Sequence, residues 1–430
     1  MRTRDQLLSM GTAQLISAGF GVVYSVVTAR GLGPALRGNL FLVQAYFNVA
    51  TVLVGLSTPT IMTVQVSREQ FDLAEVHSAS LFLSLLQGFG GGLITLLVYL
   101  RTTRLPGASL GILAFFFLSL PAMLYKTNWT AIFLGLGRVG SISIYLVFDV
   151  ILTTIGAGIV LFALRAGLQG MLIMLAIESV IMAAIGFYLT VKVSRSTWRW
   201  SSKCLSDLLR QGWKQHVSAT IIQLYFRADA FILARFLSPA GLGQYAVARG
   251  LADRITLAFT PFAQVMFPHI ASNDPERSRW FTQTTFRQLA VLGILLSAAL
   301  LVVMPRFILI MYGSAYQDAI RLAEILCIAL IVRSITVPIE LWFVGGLLRP
   351  KLNAISSSFM LVVVVASGYA LTMRAGTLGM AVALLLSFVL SLAFTIWLGN
   401  RNGLGLRELV PGPGDLRYVL AKASSFRTRG

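Results

Sequence analysis

The sequence has few charged residues, few histidines and few cysteines. Only 12% of its 430 residues are charged and 57% are hydrophobic, a composition that excludes an ordinary soluble domain. Cys204 falls in a predicted loop and Cys327 in a predicted membrane span, so a disulfide framework is excluded. The three histidines have no Cys or His neighbours at the spacing of a metal site. We therefore predict no metal and no cofactor.

Long apolar stretches occupy most of the chain. A helix needs about 20 apolar residues to cross a bilayer. Stretches of that kind lie at 7–29, 40–66, 78–100, 109–134, 141–164, 171–191, 213–236, 245–270, 286–311, 320–345, 354–373 and 378–398. The sequence therefore predicts an all-α polytopic membrane protein with about 12 transmembrane helices.

The basic residues indicate an orientation. Lys and Arg accumulate in cytoplasmic loops, and most of those outside the spans lie on the side that holds the N-terminus. Both termini are therefore expected in the cytoplasm, with Cys204 in an accessible cytoplasmic loop. The net charge of +19 is explained by this signal together with contact to anionic lipid. Nucleic-acid binding is not expected, because the basic residues do not gather in a soluble domain with interleaved aromatics.

A ten-residue phrase occurs twice. Residues 29–38 read ARGLGPALRG and residues 234–243 read ARFLSPAGLG. Internal repeats are typical of transporters, and six spans precede the midpoint, so both halves enter the membrane from the same side. We predict two six-helix bundles related by a pseudo-two-fold axis along the membrane normal, with a cleft between them.

This organisation gives four segments. They are an N-terminal lobe (1–191), a cytoplasmic amphipathic linker (192–212), a C-terminal lobe (213–400) and a mobile cytoplasmic tail (401–430). In the linker, Trp198 and Trp200 beside basic residues suit a helix that lies in the membrane interface. Gly88 and Gly92 form a Gly-x-x-x-Gly pair, which predicts close packing between the halves.

Charges inside the spans are the candidate functional residues, because a charge at the bilayer centre is retained only where it faces protein or water. Lys126, Arg227 and Arg333 have no opposite charge three or four residues away on their own helices. With Arg254 and Gln223, they are predicted to line a cavity for an anionic ligand, phosphate or pyrophosphate. Arg249 and Asp253, four residues apart, are predicted to form a structural ion pair. The remaining carboxylates could hold a coupling proton or cation, or only balance charge: Asp149, Glu178, Asp229 and Glu340.

Several phrases resemble one transporter family. ARGLGPALRGNLFLV after the first span, YFRADAFILARFLSPAGLGQYAVARGLADRI in the second half and MFPHIA at 266–271 are similar to phrases of the Wzx-type polysaccharide biosynthesis flippases. These flippases belong to the multidrug/oligosaccharidyl-lipid/polysaccharide (MOP) superfamily. The resemblance implies alternating access around a central cationic cavity in a bacterial inner membrane. It also implies a substrate, an undecaprenyl-pyrophosphate-linked oligosaccharide repeat unit moved from the cytoplasmic to the periplasmic leaflet.

Further expectations follow from this resemblance. The protein would act as a monomer that supplies the polymerase and export machinery of surface polysaccharide, with a proton or sodium ion as a possible coupling ion. Two alternatives stay open. A cation-coupled drug antiporter of the same superfamily should have carboxylates as its main cavity charge. A membrane polymerase or ligase would need a large periplasmic loop, which the spacing of the spans does not provide. We therefore predict that the protein is not an enzyme.

Overall fold

The chain folds as α-helices. The computed structural model describes residues 3–103, 108–194, 198–256, 259, 266, 269–270 and 274–415. In these residues the regular structure consists of α-helices with short π-helical and 3-10 turns, and no strand occurs among them. The all-α fold predicted from the long apolar stretches is confirmed.

The chain forms two compact units, Met1–Gly243 and Gln244–Gly430. The boundary between the lobes predicted from the sequence lies earlier, within 192–212, and that lobe assignment stays a prediction. The first unit contains the helices α1 (Thr3–Gly55), α2 (Thr58–Ser67), α3 (Leu73–Thr102), α4 (Leu110–Phe117), α5 (Leu120–Gly135), α6 (Val139–Gly158), α7 (Gly167–Ser194) and α8 (Ser202–Phe236). The second unit contains α10 (Pro275–Tyr312), α11 (Ala319–Leu341) and α12 (Pro350–Arg401), and α9 (Pro239–Thr256) begins just before the division. The predicted eighth span, 245–270, lies partly outside the described residues.

Most of these helices are long and apolar enough to cross a membrane. Eight candidate spans meet that criterion among the described residues, and α8, bent by 50° between Val217 and Ala219, gives a ninth. Large apolar side chains stay exposed along the spans, among them Leu86, Ile94 and Val302. A surface of this kind needs a hydrophobic environment such as lipid. The chain is therefore a multi-pass membrane protein.

Two of the long helices contain a break that divides them into two spans. In α1 the backbone at Gly33 has φ 70° and ψ 173°, and Pro34 then restarts the helix, a position that proline favours. In α12 the break lies at Ala375 and Gly376, where Gly376 has φ 56°. These breaks fall between the predicted first and second spans and between the predicted eleventh and twelfth spans. The predicted second span, 40–66, is itself interrupted, because α1 ends at Gly55 and α2 begins at Thr58.

The two copies of the repeated phrase pack against each other. A Cβ atom on Gly38 would lie 1.9 Å from the carbonyl oxygen of Pro239, and a Cβ atom on Gly243 would lie 1.9 Å from the carbonyl oxygen of Pro34. Pro34 and Pro239 occupy the same position of the phrase, as do Gly38 and Gly243. The contact is therefore reciprocal, and it explains why glycine stands at the last position of both copies.

The Gly-x-x-x-Gly pair of α3 has a different neighbour from the one predicted. A Cβ atom on Gly88 would lie 2.4 Å from Cα of Pro121, and one on Gly92 would lie 2.4 Å from the carbonyl oxygen of Phe117. Phe117 belongs to α4 and Pro121 to α5, and both helices lie in the first unit. The pair thus brings α3 close to the next span, and the prediction that it packs the two halves together was wrong.

The linker and the tail also differ from the sequence expectations. Residues 195–197 lie outside the described part, and from Ser202 the chain is already in α8. Cys204 in this helix is fully buried, with its Sγ atom 3.8 Å from Oε1 of Gln65, so the expectation of an accessible Cys204 was wrong. In the tail, Asp415 forms an ion pair of 3.1 Å with Arg287 of α10. The segment up to Asp415 is thus attached to the second unit, while 416–430 lies outside the described residues.

Candidate functional site

Three neighbouring spans of the first unit bring one ammonium and two carboxylates together. Lys126 lies on α5, Asp149 on α6 and Glu178 on α7. Nζ of Lys126 is 2.5 Å from Oδ1 of Asp149 and 3.0 Å from Oε1 of Glu178. The side chains of Lys126, Asp149 and Glu178 are only 15%, 21% and 8% exposed. We call these three residues the Lys126 cluster. Its formal charge is −1 if both carboxylates are ionised.

The aromatic side chains beside the Lys126 cluster hold its helices in place. The Trp129 and Tyr145 rings of α5 and α6 lie 4.1 Å apart between centroids. The Tyr145 hydroxyl donates a hydrogen bond of 2.9 Å to the carbonyl oxygen of Met182 on α7. The ring contact joins α5 to α6 and the hydrogen bond joins α6 to α7. This packing therefore fixes the positions of the three charged side chains.

The second unit contains a smaller buried ion pair. Nη2 of Arg333 lies 2.9 Å from Oε2 of Glu340 on α11, and their side chains are 14% and 10% exposed. The two residues lie seven apart in sequence, two helical turns, and therefore share one face of α11. The other Glu340 oxygen, Oε1, is buried and accepts no hydrogen bond from any described residue. A buried acceptor without a donor is costly, so this oxygen is available to a proton or a cation.

The candidates on α8 are less tightly paired. Gln223 and Arg227 lie one helical turn apart and are half-buried. No hydrogen bond or ion pair joins the Arg227 guanidinium to another side chain in the described part of the chain. Asp229 is buried, and its Oδ1 accepts a hydrogen bond of 2.8 Å from the backbone N–H of Ala230. Arg227 is therefore the candidate cation of this unit that remains available to a ligand.

On α9 the charges are divided between a structural pair and an available cation. Nε of Arg249 is 3.0 Å from Oδ1 of Asp253, and the Arg249 side chain is 3% exposed. The predicted ion pair is confirmed. Arg254, half-buried, forms no ion pair with the residues that the structure describes. That the candidates of both units face one central cavity stays a prediction.

Two features of these charges could not be predicted from their spacing in the sequence. Lys126 has its counter-ions on neighbouring helices, where spacing along one helix gives no signal. Arg37, which falls between the predicted first and second spans, is buried in α1, and its Nε and Nη1 find no acceptor among the described residues. Its place in the repeated phrase was the only available hint. No group of three or more described His, Cys, Asp or Glu residues is arranged to hold a metal ion.

Comparison with known proteins gives the family and the fold. Residues 4–274 match the family described as "Polysaccharide biosynthesis protein". Among solved structures, the chain is similar to an inward-facing multidrug resistance MATE family transporter of the MOP superfamily, with TM-score 0.74 and 16% identity over 92% of this chain and 97% of that one. It is also similar to the lipid II flippase MurJ in an inward closed conformation, with TM-score 0.73 and 13% identity over 96% of this chain and 90% of that one.

A third structural neighbour is a MOP superfamily transporter from Pyrococcus furiosus described as having a binding pocket of reverse polarity. Its TM-score is 0.67 at 14% identity, over 92% of this chain and 95% of that one. No curated protein sequence matches the chain significantly. The resemblance found in the sequence is thus confirmed: the chain belongs to the polysaccharide biosynthesis protein family and has the fold of the MOP-superfamily transporters.

Proposed function

We propose that this protein is a flippase for a lipid-linked oligosaccharide. One observation carries the proposal: a chain of the polysaccharide biosynthesis protein family has the fold of a lipid II flippase. The substrate would be undecaprenyl-pyrophosphate bearing an oligosaccharide repeat unit. The protein would move it from the cytoplasmic to the periplasmic leaflet of a bacterial inner membrane by alternating access. The product would serve the polymerase and export machinery of O-antigen, capsule or exopolysaccharide.

The half-buried arginines support an anionic substrate. Arg227 and Arg254 have no ion pair among the described residues, and arginine keeps its charge when it leaves water. Guanidinium groups also bind phosphate oxygens through paired, charge-assisted hydrogen bonds. In our proposal these two arginines, with Gln223, contact the pyrophosphate as the head group enters the protein. The contact replaces the water that the charged group loses.

The paired cations suggest how transport is coupled to an ion. Lys126 and Arg333 are neutralised by carboxylates within 3.0 Å. If a pyrophosphate draws Lys126 away, Asp149 and Glu178 lose their counter-ion in a region of low dielectric constant. Two such carboxylates favour uptake of a proton or a sodium ion. Asp229 and Glu340 would balance charge in the same way. Substrate binding and cation uptake are therefore linked in this proposal.

The membrane potential acts in the proposed direction. A negative charge that moves outward across an inside-negative membrane gains about 2.3 kcal/mol per 100 mV. A pyrophosphate group carries more than one such charge. The potential alone is therefore a usable driving force, and a coupling ion adds to it.

A cation-coupled drug antiporter is the second candidate function. The Lys126 cluster favours it, because two carboxylates around one ammonium leave a net negative charge that suits a cationic ligand. The likeness to a multidrug resistance transporter is in line with this reading. The two functions differ in which variants matter: an antiporter depends on Asp149 and Glu178, whereas a pyrophosphate flippase also depends on Arg227 and Arg254.

Complementation of a flippase-deficient bacterium tests the proposal. Arg227→Gln should abolish export of the lipid-linked sugar while the protein stays in the membrane at the normal amount. Arg227→Lys should keep part of the activity if charge alone matters, and little of it if paired contacts to phosphate matter. Arg306→Gln, which changes an exposed arginine of α10, is the matched control and should complement fully.

Full complementation by the Lys126→Ala, Arg227→Ala, Arg333→Ala triple variant would refute the anionic site. The three charges would then be structural. Resistance to cationic dyes, conferred by the wild type and lost in Asp149→Asn, would instead support the antiporter.

A further inference from the structure

A cleft in the first unit is lined by residues other than the intramembrane charges described above. It has a volume of about 600 Å³, within the range of small-molecule sites. Its walls come from the second half of α1, the end of α3, the end of α8 and the start of α9. The lining residues are Leu42, Tyr46, Arg101, Thr102, Thr103, Phe231, Ala234, Arg235, Leu237, Pro239 and Leu242. We call it the outer cleft, because the predicted orientation places it on the side opposite the N-terminus.

One wall of the outer cleft suits an anion. Arg101 lies in the last turn of α3 and Arg235 in the last turn of α8, and both are exposed. The Tyr46 hydroxyl lies 2.6 Å from Oγ1 of Thr102 and 3.2 Å from Oγ1 of Thr103, so three hydroxyl groups lie together beside the arginines. Among the described residues, no acidic side chain lines the cleft and neither arginine forms an ion pair. Within this part of the chain the two positive charges are thus uncompensated.

The rest of the lining of the outer cleft is mainly apolar. Leu42, Phe231, Leu237 and Leu242 contribute this part, and the Phe231 ring packs edge-on against Tyr46 with centroids 4.9 Å apart. A soluble phosphate compound would gain little from these apolar side chains. A ligand in which a phosphate group joins directly to a hydrocarbon chain would contact both the polar and the apolar lining residues. The lining therefore indicates an amphiphile with an anionic head.

We propose that the outer cleft binds the junction between the pyrophosphate and the isoprenoid chain of the lipid-linked sugar. This inference rests on the proposed function and adds a second site to it. Arg101 and Arg235 would bind the pyrophosphate, and the leucines would contact the first isoprene groups. The Thr103 hydroxyl would donate to a remaining phosphate oxygen, whereas that of Thr102 already donates to the carbonyl oxygen of Val98. The cleft receives the head group after it has crossed the membrane and before the lipid leaves laterally.

The outer cleft also adjoins the reciprocal contact of the repeated phrase. Pro239 and Leu242 line the cleft, and Gly38 packs against the same segment. A Cβ atom on Gly38 would meet the Pro239 carbonyl oxygen and, at 3.0 Å, the Leu242 side chain. Any separation of the two phrase copies therefore moves one wall of the cleft. Release of the lipid and rearrangement of the phrase are expected to occur together.

Binding of farnesyl pyrophosphate to the purified full-length protein tests this site. The measured quantity is the affinity, obtained from the ligand-dependent rise in the unfolding temperature. The Arg101→Gln, Arg235→Gln double variant should bind at least about tenfold more weakly, since one hydrogen bond to a charged group is worth about that factor. Arg306→Gln, which removes an exposed arginine outside the cleft, is the control and should bind like the wild type.

A protection experiment locates the ligand. Ala234 lines the cleft, and both native cysteines are buried, so an Ala234→Cys variant offers one accessible thiol. Farnesyl pyrophosphate should slow its reaction with a membrane-impermeant maleimide, and inorganic pyrophosphate should do so much less. Unchanged labelling would overturn the inference.

The outcomes separate this inference from the proposed function. If the wild type binds farnesyl pyrophosphate and the double variant binds it equally well, the outer cleft is refuted while the flippase proposal stands. If phosphatidylglycerol competes as strongly as farnesyl pyrophosphate, the cleft is a phospholipid site and the inference is overturned. If the wild type binds no polyprenyl pyrophosphate, the proposed function fails as well.

Discussion

The ammonium of Lys126 lies between two carboxylates that come from two other helices. Burial of these charges costs solvation free energy, which is recovered only while all partners are present. We therefore expect single substitutions in the cluster to destabilise the protein. Removal of one charge leaves an uncompensated neighbour, whereas removal of all three leaves a neutral site of similar shape.

We predict that the single variant Lys126→Met is less stable than the triple variant Lys126→Met, Asp149→Asn, Glu178→Gln. Breaking a buried pair from one side costs about 3–5 kcal/mol, and replacing the whole group is close to neutral. The temperature of unfolding in detergent measures the difference. Arg210→Met is the control, because its ion pair with Asp207 (3.3 Å) is exposed on the arginine side and should contribute about 1 kcal/mol or less.

The triple variant also separates stability from function. If it folds and still exports the lipid-linked sugar, the Lys126 cluster is structural and the proposed coupling fails. A variant that folds but does not export supports the coupling role of Asp149 and Glu178. Equal stability of the single and the triple variant would mean that the carboxylates do not depend on Lys126.

At the scale of elements, each copy of the repeated phrase connects the end of one helical segment to the start of the next. At Gly38 of α1 and at Gly243 of α9, a proline carbonyl oxygen occupies the space that a side-chain methyl group would need. Close backbone approach of this kind lets two helices pack more tightly than side chains would allow. The repetition in sequence thus has a counterpart in packing.

We predict that Gly38→Ala and Gly243→Ala each lower the free energy of unfolding by about 1–3 kcal/mol, the usual cost of overpacking. The added methyl group would stand 1.9 Å from a carbonyl oxygen in either variant, so the two copies must move apart. Gly241→Ala in the same phrase is the control, since its nearest new neighbour would be 3.7 Å away. Thermal unfolding of the three purified variants measures the effect. If Gly241→Ala proved as destabilising as Gly38→Ala, the reciprocal contact would not be the cause.

The elements were largely predictable because a span is defined by a local property, a continuous run of apolar residues. The break at Gly33 and Pro34 is also a local property, because glycine tolerates a positive φ and proline favours the first position of a helix. The ion-pair partners of Lys126 could not be predicted, because they depend on which spans pack together. The apolar pattern of α5, α6 and α7 contains no such information. The burial of Cys204 likewise depends on a polar contact with Gln65 of α2, about 140 residues away. The shared face of Arg333 and Glu340 follows from their spacing of seven residues on one helix, but their ion pair was not predicted, because Arg333 was expected to line a cavity.

At the scale of the whole molecule, the orientation in the membrane remains a prediction from the basic residues. Native cysteines cannot test it, because both are buried. Lys203→Cys and Ser314→Cys each place a thiol at an exposed position, the first on the predicted cytoplasmic side and the second on the predicted outer side. A membrane-impermeant maleimide should label only Ser314→Cys in intact cells and only Lys203→Cys in inverted vesicles. The reverse pattern would contradict both the orientation and the proposed direction of transport.

The central claim is that the chain translocates a polyprenyl-pyrophosphate sugar and that Arg227 takes part in binding its anionic head. The most direct measurement is translocation of a fluorescent polyprenyl-pyrophosphate disaccharide in vesicles that contain the purified protein, followed by loss of fluorescence to an external quencher. We expect translocation by the wild type and by Arg306→Gln, and none above protein-free vesicles by Arg227→Gln. Equal translocation by Arg227→Gln and the wild type, or none by the wild type, would contradict this claim.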